Sequence, residues 1–288
     1  MFTLNCRGKL LVIDKPLIMG IINVTPDSFF AGSRAQNNDA ILLQAEKMIS
    51  ESADIIDIGG QSTRPGSERI SVDEEMRRVL PAIEIILKIF PGTIISVDTY
   101  QSLVAKECIN AGASIINDIS AGNLDNSMLS TVASLQVPYI CMHMKHTPEI
   151  MQENPVYEDV TREVLDFFIE KTYECKVAGI NDVIVDPGFG FAKTITHNFQ
   201  ILKNLSTFKM LDKPILAGLS RKSTIYKTLG IPVAKALNGS TVLHTLALQN
   251  GANILRVHDV KEAREAVVLF QKYSTSPPAP SPQAERGF

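Results

Sequence analysis

The sequence predicts a single α/β domain folded as a (β/α)8 TIM barrel, with an active site at the carboxyl ends of its strands. Three observations predict it. Eight short runs rich in Val, Ile and Leu recur along the chain, segments with a helical period lie between them, and polar residues follow the ends of the runs. A doubly wound open sheet shows the same alternation and is not excluded by spacing alone, but eight strands favour the barrel.

The runs are nearly continuous in apolar residues, as strands buried on both faces of a parallel sheet are. They cover residues 17–23, 54–59, 94–98, 114–118, 138–143, 182–186, 214–219 and 253–258. The helical period is clear in residues 40–52, 73–90 and 161–177. Ser71 stands three residues before Glu74, a capping-box spacing, and Asp39 precedes an apolar periodic run, so both are predicted to mark helix starts.

Length and composition fit one large domain and disfavour several classes of partner. With 45% hydrophobic residues, the 288-residue chain can bury a large core, and we expect residues 1–273 to form one domain. Residues 274–288, rich in Pro, Ser and Ala, are expected to be a disordered tail. A net charge of -3 gives no bulk attraction for nucleic acid or an anionic membrane surface. No apolar run is long enough to span a bilayer.

The cysteines and the amino terminus indicate a cytoplasmic protein. The four cysteines are widely spaced and form no C-x-x-C motif, which is typical of reduced thiols in a chain of this length. The first residues lack the long apolar segment and small-residue cleavage site of a signal peptide, so none is expected.

Three polar residues at the ends of apolar runs form the predicted centre of the site. Asp98, Asn117 and Asp186 each close a separate run. A charge at the end of a buried strand costs free energy unless it is paired, so a polar partner is expected there. Two carboxylates and an amide suit a flat heterocycle with several N–H donors, because an ionised carboxylate only accepts hydrogen bonds. The alternative is that they cap helices or pair with Lys222 and Arg256 for structure alone.

Positive groups are predicted on the same rim. Lys222 follows the seventh run and Arg256 lies near the carboxyl end of the eighth, with His258 two residues beyond Arg256 on the same side of an extended strand. These groups suit an anion, although an Arg or Lys at a strand end can also simply reach solvent. The Gly-rich loop 59–67 could add backbone N–H groups, but it matches neither G-x-x-x-x-G-K-[ST] nor G-x-G-x-x-G, so nucleotide-binding folds are disfavoured.

A zinc site is not expected, although His143 and His146 have H-x-x-H spacing. The two histidines follow a strand rather than lying one turn apart on a helix, and no third ligand has suitable spacing nearby. His197 and His244 lie in helical segments and are given no function.

Several motifs together resemble the dihydropteroate synthase family. They occur in that family's order from about Leu17 to Phe270 and include all eight predicted strands. The motifs are Asn23-Val24-Thr25-Pro26-Asp27-Ser28-Phe29, Ser62-Thr63-Arg64-Pro65-Gly66, Val97-Asp98-Thr99, Asn117-Asp118-Ile119-Ser120, Met142-His143-Met144, Asp186-Pro187-Gly188-Phe189-Gly190-Phe191, Ser220-Arg221-Lys222-Ser223 and Arg256-Val257-His258.

The resemblance implies a reaction in folate biosynthesis that condenses 6-hydroxymethyl-7,8-dihydropterin pyrophosphate with p-aminobenzoate to give 7,8-dihydropteroate and pyrophosphate. It implies catalysis by Asp98, Asp186, Lys222 and Arg256. It also implies a pterin site of Asp98, Asn117, Met142, Asp186, Phe191, Lys222 and Arg256, a pyrophosphate site of Asn23, Arg256 and His258, and a p-aminobenzoate pocket of Phe29, Thr63, Arg64, Pro65 and Ser220. The same resemblance implies that Asn23 binds Mg²⁺. It also implies that the protein is a target of sulfonamides and that it forms a homodimer through helices late in the chain.

The chain departs from the family pattern at three places. Ala31 occupies a position often filled by Asp, Gln61 stands where Glu is frequent, and Lys145-His146 replace a more usual Gln-Gly. The altered first loop motivates one alternative, a non-catalytic pterin-binding protein. A second alternative is a methyltransferase that passes a methyl group from a methylated folate to a corrinoid protein, although that enzyme would not need the Ser62–Gly66 or Ser220–Ser223 motifs.

Overall fold

Eight parallel strands form one sheet whose two edges meet, so the predicted barrel is confirmed. The computed structural model describes residues 1–25, 34–62, 69–145 and 155–276, with side chains of the first helix described from residue 38 onward. A short hairpin, β1 (Phe2–Cys6) and β2 (Lys9–Ile13), precedes the barrel. The barrel strands are β3 (Leu17–Asn23), β4 (Ile55–Gly59), β5 (Ile95–Asp98), β6 (Ile115–Asp118), β7 (Tyr139–Met142), β8 (Val183–Asp186), β9 (Leu216–Ala217) and β10 (Ile254–Val257).

The strand order is β8-β7-β6-β5-β4-β3-β10-β9, and every pairing along it is parallel. A parallel bridge between Val185 and Ile215 connects β8 to the segment that enters β9 and closes the ring. The predicted strands agree closely with these bounds, except that the seventh run forms only the two-residue β9. The pairing of this run with β8 is limited to that bridge, which explains the short strand.

Helices surround the barrel. They are α1 (Arg34–Ser50), α2 (Val72–Ile89), α3 (Ser102–Asn110), α4 (Met128–Leu135), α5 (Val160–Ala178), α6 (Ile195–Lys203), α7 (Ser223–Leu229), α8 (Leu237–Gln249) and α9 (Val260–Thr275). The Oγ atom of Ser71 accepts a hydrogen bond from the Glu74 N–H at 3.2 Å, so this predicted helix start is confirmed. The prediction for Asp39 is wrong, because α1 already begins at Arg34 and Asp39 lies on its exposed face.

The hairpin β1–β2 was not among the predicted strands. Its two-residue turn has Arg7 at φ 54° and Gly8 at φ 83°, the left-handed pair that matches the twist of a tight hairpin. Its inner residues join buried apolar residues at the amino ends of the barrel strands, which together form a layer that we call the barrel floor. The floor consists of Leu4, Cys6, Ile13, Leu17, Met19, Ile55, Ile94, Ile115, Ile140, Ile184, Leu216 and Ile254. This layer separates the barrel interior from solvent at the amino ends of the strands.

The end of the described chain continues the last helix slightly past the predicted domain boundary. Helix α9 reaches Thr275, whereas the tail was predicted to begin at residue 274. Residues 277–288 lie outside the described residues. In the described parts of the chain, no helix is both long enough and apolar enough to cross a membrane. The four cysteines are all buried and none is in a disulfide.

Candidate active site

The predicted centre of the site assembles at the carboxyl mouth of the barrel. Asp98 ends β5, Asn117 lies next to it across the ladder at the end of β6, and Asp186 ends β8. Parallel strands bring their carboxyl ends to one rim, which is why residues far apart in sequence meet there. All three side chains are buried. Burial raises the pKa of the Asp98 carboxyl, and the Arg256 guanidinium opposes that rise.

Arg256 bonds to two carboxylates at this rim. Its Nε donates to Asp57 Oδ2 and its Nη2 donates to Asp98 Oδ2, both at 2.6 Å. Burial would lower the pKa of the guanidinium, but Asp57 and Asp98 outweigh that effect and raise it. Arg256 therefore stays charged, held from two sides by carboxylates.

Asp57 was not among the predicted site residues. It lies within β4, is fully buried, and also accepts a hydrogen bond from Asn117 Nδ2 at 3.2 Å. The sequence does contain a signal for it, since a charged residue inside an apolar strand needs a partner. Here the partners are Arg256 and Asn117.

Asp186 and Lys222 form the opposite side of the mouth. Asp186 Oδ1 accepts from the Gly188 N–H at 2.8 Å, which fixes the turn after β8. Lys222 Nζ donates to the Phe189 carbonyl oxygen and lies 4.7 Å from the centre of the Phe191 ring. Burial lowers the pKa of Lys222 to about 8, opposed by the Asp186 carboxylate. Lys222 is thus a cation that is poised to lose its proton in mildly alkaline solution.

Two apolar residues predicted to pack near the pterin belong to one cluster at the mouth. Met142 is buried there with Ile119 and Met144, and Phe191 packs against them. This cluster supplies an apolar wall between the polar residues of β5–β6 and those of the turn after β8.

Lys193 is a second residue that the sequence analysis missed. Its buried Nζ lies 2.9 Å from His143 Nδ1 and donates to the Phe191 carbonyl oxygen at 3.0 Å. Burial lowers its pKa to about 7, and burial with the nearby Lys193 holds the pKa of His143 well below its usual value. Among the described residues no group of three or more His, Cys, Asp or Glu could hold a metal ion, and His146 lies outside them. The contact between His143 and Lys193 links the end of β7 to the turn after β8.

Ser220 and His258 contact each other on the rim. Ser220 Oγ accepts from the His258 backbone N–H at 3.2 Å and lies 3.1 Å from the ring Nδ1. Burial and the Arg256 charge lower the pKa of His258 to about 4, so its ring is neutral near pH 7. The neighbouring Arg221 is paired through two 2.8 Å hydrogen bonds with Asp259, which makes it a structural anchor for this loop.

Asn23 brings an amide oxygen to the same mouth. A Cβ added at Gly59 would meet Asn23 Oδ1 at 3.6 Å and Asp98 Oδ2 at 3.8 Å, so glycine leaves the space in which these oxygen atoms converge. Magnesium commonly takes one or two protein oxygens and completes its shell with water and substrate phosphates. The donor set around Asn23 therefore fits a magnesium ion that is bound mainly through a phosphorylated ligand.

The remaining predicted site residues cannot be placed. Phe29, Thr63, Arg64 and Pro65 of the predicted p-aminobenzoate pocket, and the altered position Ala31, lie outside the described residues. Of that pocket the structure locates Ser220.

The chain is similar to known enzymes over most of its length. Residues 19–258 match the family described as pterin binding enzyme. A dihydropteroate synthase of Haemophilus influenzae is 44% identical over 270 residues, covering 93% of this chain and 98% of that protein. A Xanthomonas albilineans dihydropteroate synthase solved with 4-aminobenzoic acid superposes with a TM-score of 0.89 at 40% identity, covering 96% of this chain and 99% of the other. A Yersinia pestis dihydropteroate synthase in complex with a sulfonamide drug gives 0.90 at 40% identity, covering 96% and 100%.

Proposed function

The chain belongs to the dihydropteroate synthase family of pterin binding enzymes, and we propose that Arg256 and the buried carboxylates around it carry out the condensation of a dihydropterin pyrophosphate with p-aminobenzoate. The observation that carries this assignment of residues is the cluster itself. Asp98 and Asp57 hold one guanidinium between them, beside Asn117 and at a mouth lined by apolar side chains.

The pterin ring is held by acceptors on one side and apolar groups on the other. Asp98, Asp186 and Asn117 offer oxygen atoms to the N–H groups of the ring, and charge-assisted hydrogen bonds of this kind are among the strong ones. Met142 and Phe191 cover its faces. Because these groups are buried before the ligand arrives, little reorganisation is needed on binding.

Departure of pyrophosphate is helped by the positive and hydrogen-bonding groups at the rim. Arg256 and the neutral ring of His258 bind its oxygen atoms, together with the amide of Asn23. A magnesium ion held by Asn23 and the pyrophosphate would neutralise part of the charge on the leaving group. Arg256 keeps its proton throughout because two carboxylates raise its pKa.

The pterin carries positive charge after pyrophosphate leaves, and the carboxylates stabilise it. Asp98 and Asp186 end their strands at the mouth, so their carboxylates lie beside the ring that becomes positive. The amine of p-aminobenzoate then attacks the exocyclic methylene carbon of the pterin. Because an aniline is a neutral nucleophile, it needs no strong general base, and its proton can pass to solvent or to the departing pyrophosphate.

A homodimer in the cytoplasm is part of the proposal. Helices α8 and α9 expose apolar side chains, among them Val242 at 50%, Leu246 at 40%, Leu269 at 71% and Tyr273 at 73%. A surface cavity of about 500 Å³ between the two helices is lined mainly by apolar atoms, and Leu269, Phe270 and Tyr273 are among its lining residues. Burying this surface against a second copy removes it from water. The reduced thiols suit the cytoplasm.

Pyrophosphate release is the first test. The protein is mixed with 6-hydroxymethyl-7,8-dihydropterin pyrophosphate and Mg²⁺, with and without p-aminobenzoate, and pyrophosphate and dihydropteroate are measured. We expect release that depends on Mg²⁺ and yields dihydropteroate when the amine is present. Binding of the pterin without pyrophosphate release under either condition would overturn the proposal in favour of a pterin-binding protein, and a folate-to-corrinoid methyl transfer would point to a methyltransferase.

The alkaline limit of the reaction is predicted to come from Lys222. Since burial lowers its pKa to about 8, its charge is lost as the pH rises through that value, and kcat/KM for the pterin substrate should fall there. Asp98 and Asp186, whose pKa values are raised by burial, should limit activity on the acid side. A pH profile of kcat/KM checks both limbs.

Lys222→Arg is the matched control, because arginine keeps its charge at high pH. The variant should have a lower maximum but an alkaline limb that extends beyond about pH 9, because a guanidinium keeps its proton throughout that range. An unchanged alkaline limb would show that another group sets it.

A further inference from the structure

Asp57 is the residue of the mouth whose function the proposed reaction leaves open. The residue is fully buried, so it cannot touch a ligand that enters from the mouth. Its Oδ2 nevertheless accepts hydrogen bonds from two residues of the proposed site, Arg256 Nε at 2.6 Å and Asn117 Nδ2 at 3.2 Å. One carboxylate oxygen thus connects a residue assigned to pyrophosphate with one assigned to the pterin.

We propose that Asp57 is a positioning residue that couples the two halves of the site, by fixing the Arg256 side chain and by turning the amide oxygen of Asn117 toward the pterin. The inference rests on the proposed function. Asp57 does not react. It determines which atoms of two other residues are free to meet the substrate.

The orientation of the Asn117 amide follows from the chemistry of its partner. An ionised carboxylate only accepts hydrogen bonds, so the NH₂ group of Asn117 must face Asp57. The amide oxygen is then the free acceptor. A pterin ring presents several N–H donors, and the amide oxygen adds a third acceptor for them beside the carboxylates of Asp98 and Asp186, while Lys222 and Arg256 already supply donors.

The orientation of Arg256 follows in the same way. Asp57 accepts a hydrogen bond from Nε and Asp98 accepts one from Nη2, so one edge of the guanidinium is fixed. The remaining N–H groups are left for a planar or anionic ligand. An arginine that is already held in place loses less conformational freedom on binding phosphate oxygens than a mobile arginine does.

The other oxygen of Asp57 shows that the residue is not placed for packing alone. Among the described residues, Oδ1 is buried without a hydrogen-bond partner, and so is the hydroxyl of Ser96, which pairs with Asp57 in register on β5. Unsatisfied buried oxygens cost folding free energy. An apolar side chain at position 57 would avoid that cost but could not hold Arg256 and Asn117.

The test compares Asp57→Asn with Glu75→Gln. Glu75 is the matched control: it is a buried carboxylate with one unpartnered oxygen, and it contacts Gln101 rather than Arg256 or Asn117. Calorimetry with 6-hydroxymethylpterin and, separately, with magnesium pyrophosphate measures the two halves of the site. We expect Asp57→Asn to weaken both ligands roughly tenfold and Glu75→Gln to change neither by more than about twofold.

A double-mutant cycle separates positioning from a general loss of structure. In an Asn117→Ala background there is no amide to orient, so adding Asp57→Asn should weaken pterin binding by less than about threefold, while the roughly tenfold loss for pyrophosphate persists. Equal losses of pterin binding in both backgrounds, or the same losses in Glu75→Gln, would overturn the proposal. If the unsubstituted protein binds neither ligand, the proposed function fails instead.

Neutron diffraction provides an answer should Asp57→Asn not fold. Crystals of the unsubstituted protein with 6-hydroxymethylpterin distinguish the ND₂ group of Asn117 from its oxygen. The oxygen facing the pterin supports the proposal, and the ND₂ group facing the pterin overturns it.

Discussion

Replacing Arg256 with methionine is expected to lower the free energy of unfolding by about 3–5 kcal/mol, because it leaves two buried carboxylates without their cation. Asp57 and Asp98 both bond to the guanidinium at 2.6 Å and have little or no exposure to water. Urea unfolding monitored by circular dichroism measures the change.

The same substitution should reduce kcat/KM for the pterin substrate by about 10²–10³-fold, the usual effect of removing one group that stabilises charge in the transition state. Arg221→Met is the control on the same rim. That arginine is paired with Asp259, which is more exposed than Asp57 and Asp98, so its loss should cost less, about 1–2 kcal/mol. Equal destabilisation by the two substitutions would contradict the view that Arg256 neutralises a buried cluster.

Gly188→Ala is predicted to have the second largest effect. Gly188 has φ +70°, and an added Cβ would lie 2.0 Å from the backbone oxygen of His143. A backbone atom cannot be displaced like a flexible side chain, so the turn after β8 must move away from β7. Left-handed strain and overpacking together should cost about 2–5 kcal/mol. The pterin site should be lost as well, because the Gly188 N–H that fixes Asp186 moves with the turn.

Gly230→Ala is the matched control for backbone strain. Gly230 has φ +64° but no atom within 4 Å of an added Cβ, so it tests the left-handed conformation alone. We expect a loss of about 1 kcal/mol, measured by the same unfolding experiment. A Gly188→Ala variant no less stable than Gly230→Ala would show that the turn tolerates a shift without harm.

Much of the fold and part of the site could be predicted from sequence because the barrel imposes a simple rule. Apolar runs become strands, and polar residues at or near the carboxyl ends of the strands collect on one rim. Asp98, Asn117, Asp186 and Arg256 all obey this rule, and the structure brings them together.

The residues that were missed do not obey that rule. Asp57 lies inside a strand, and because both faces of a barrel strand are apolar, the sequence does not say which side chains point inward. Lys193 lies after a turn whose path depends on Gly188 and Gly190, both with positive φ. The hairpin β1–β2 does not stand out as a continuous apolar run, because its strands alternate in burial around an Arg7-Gly8 turn.

The barrel floor closes the interior at the amino ends of the strands. With the hairpin residues Leu4, Cys6 and Ile13 packed under the strands, ligands enter and leave only through the mouth. Two ligands that occupy the barrel interior together must therefore bind in a fixed order. The deeper one binds first and dissociates last. If a pterin is bound at Asp98, Asn117 and Asp186, a second ligand bound nearer the rim blocks its exit. The second ligand thus lengthens the residence time of the pterin without contacting the residues that bind the pterin.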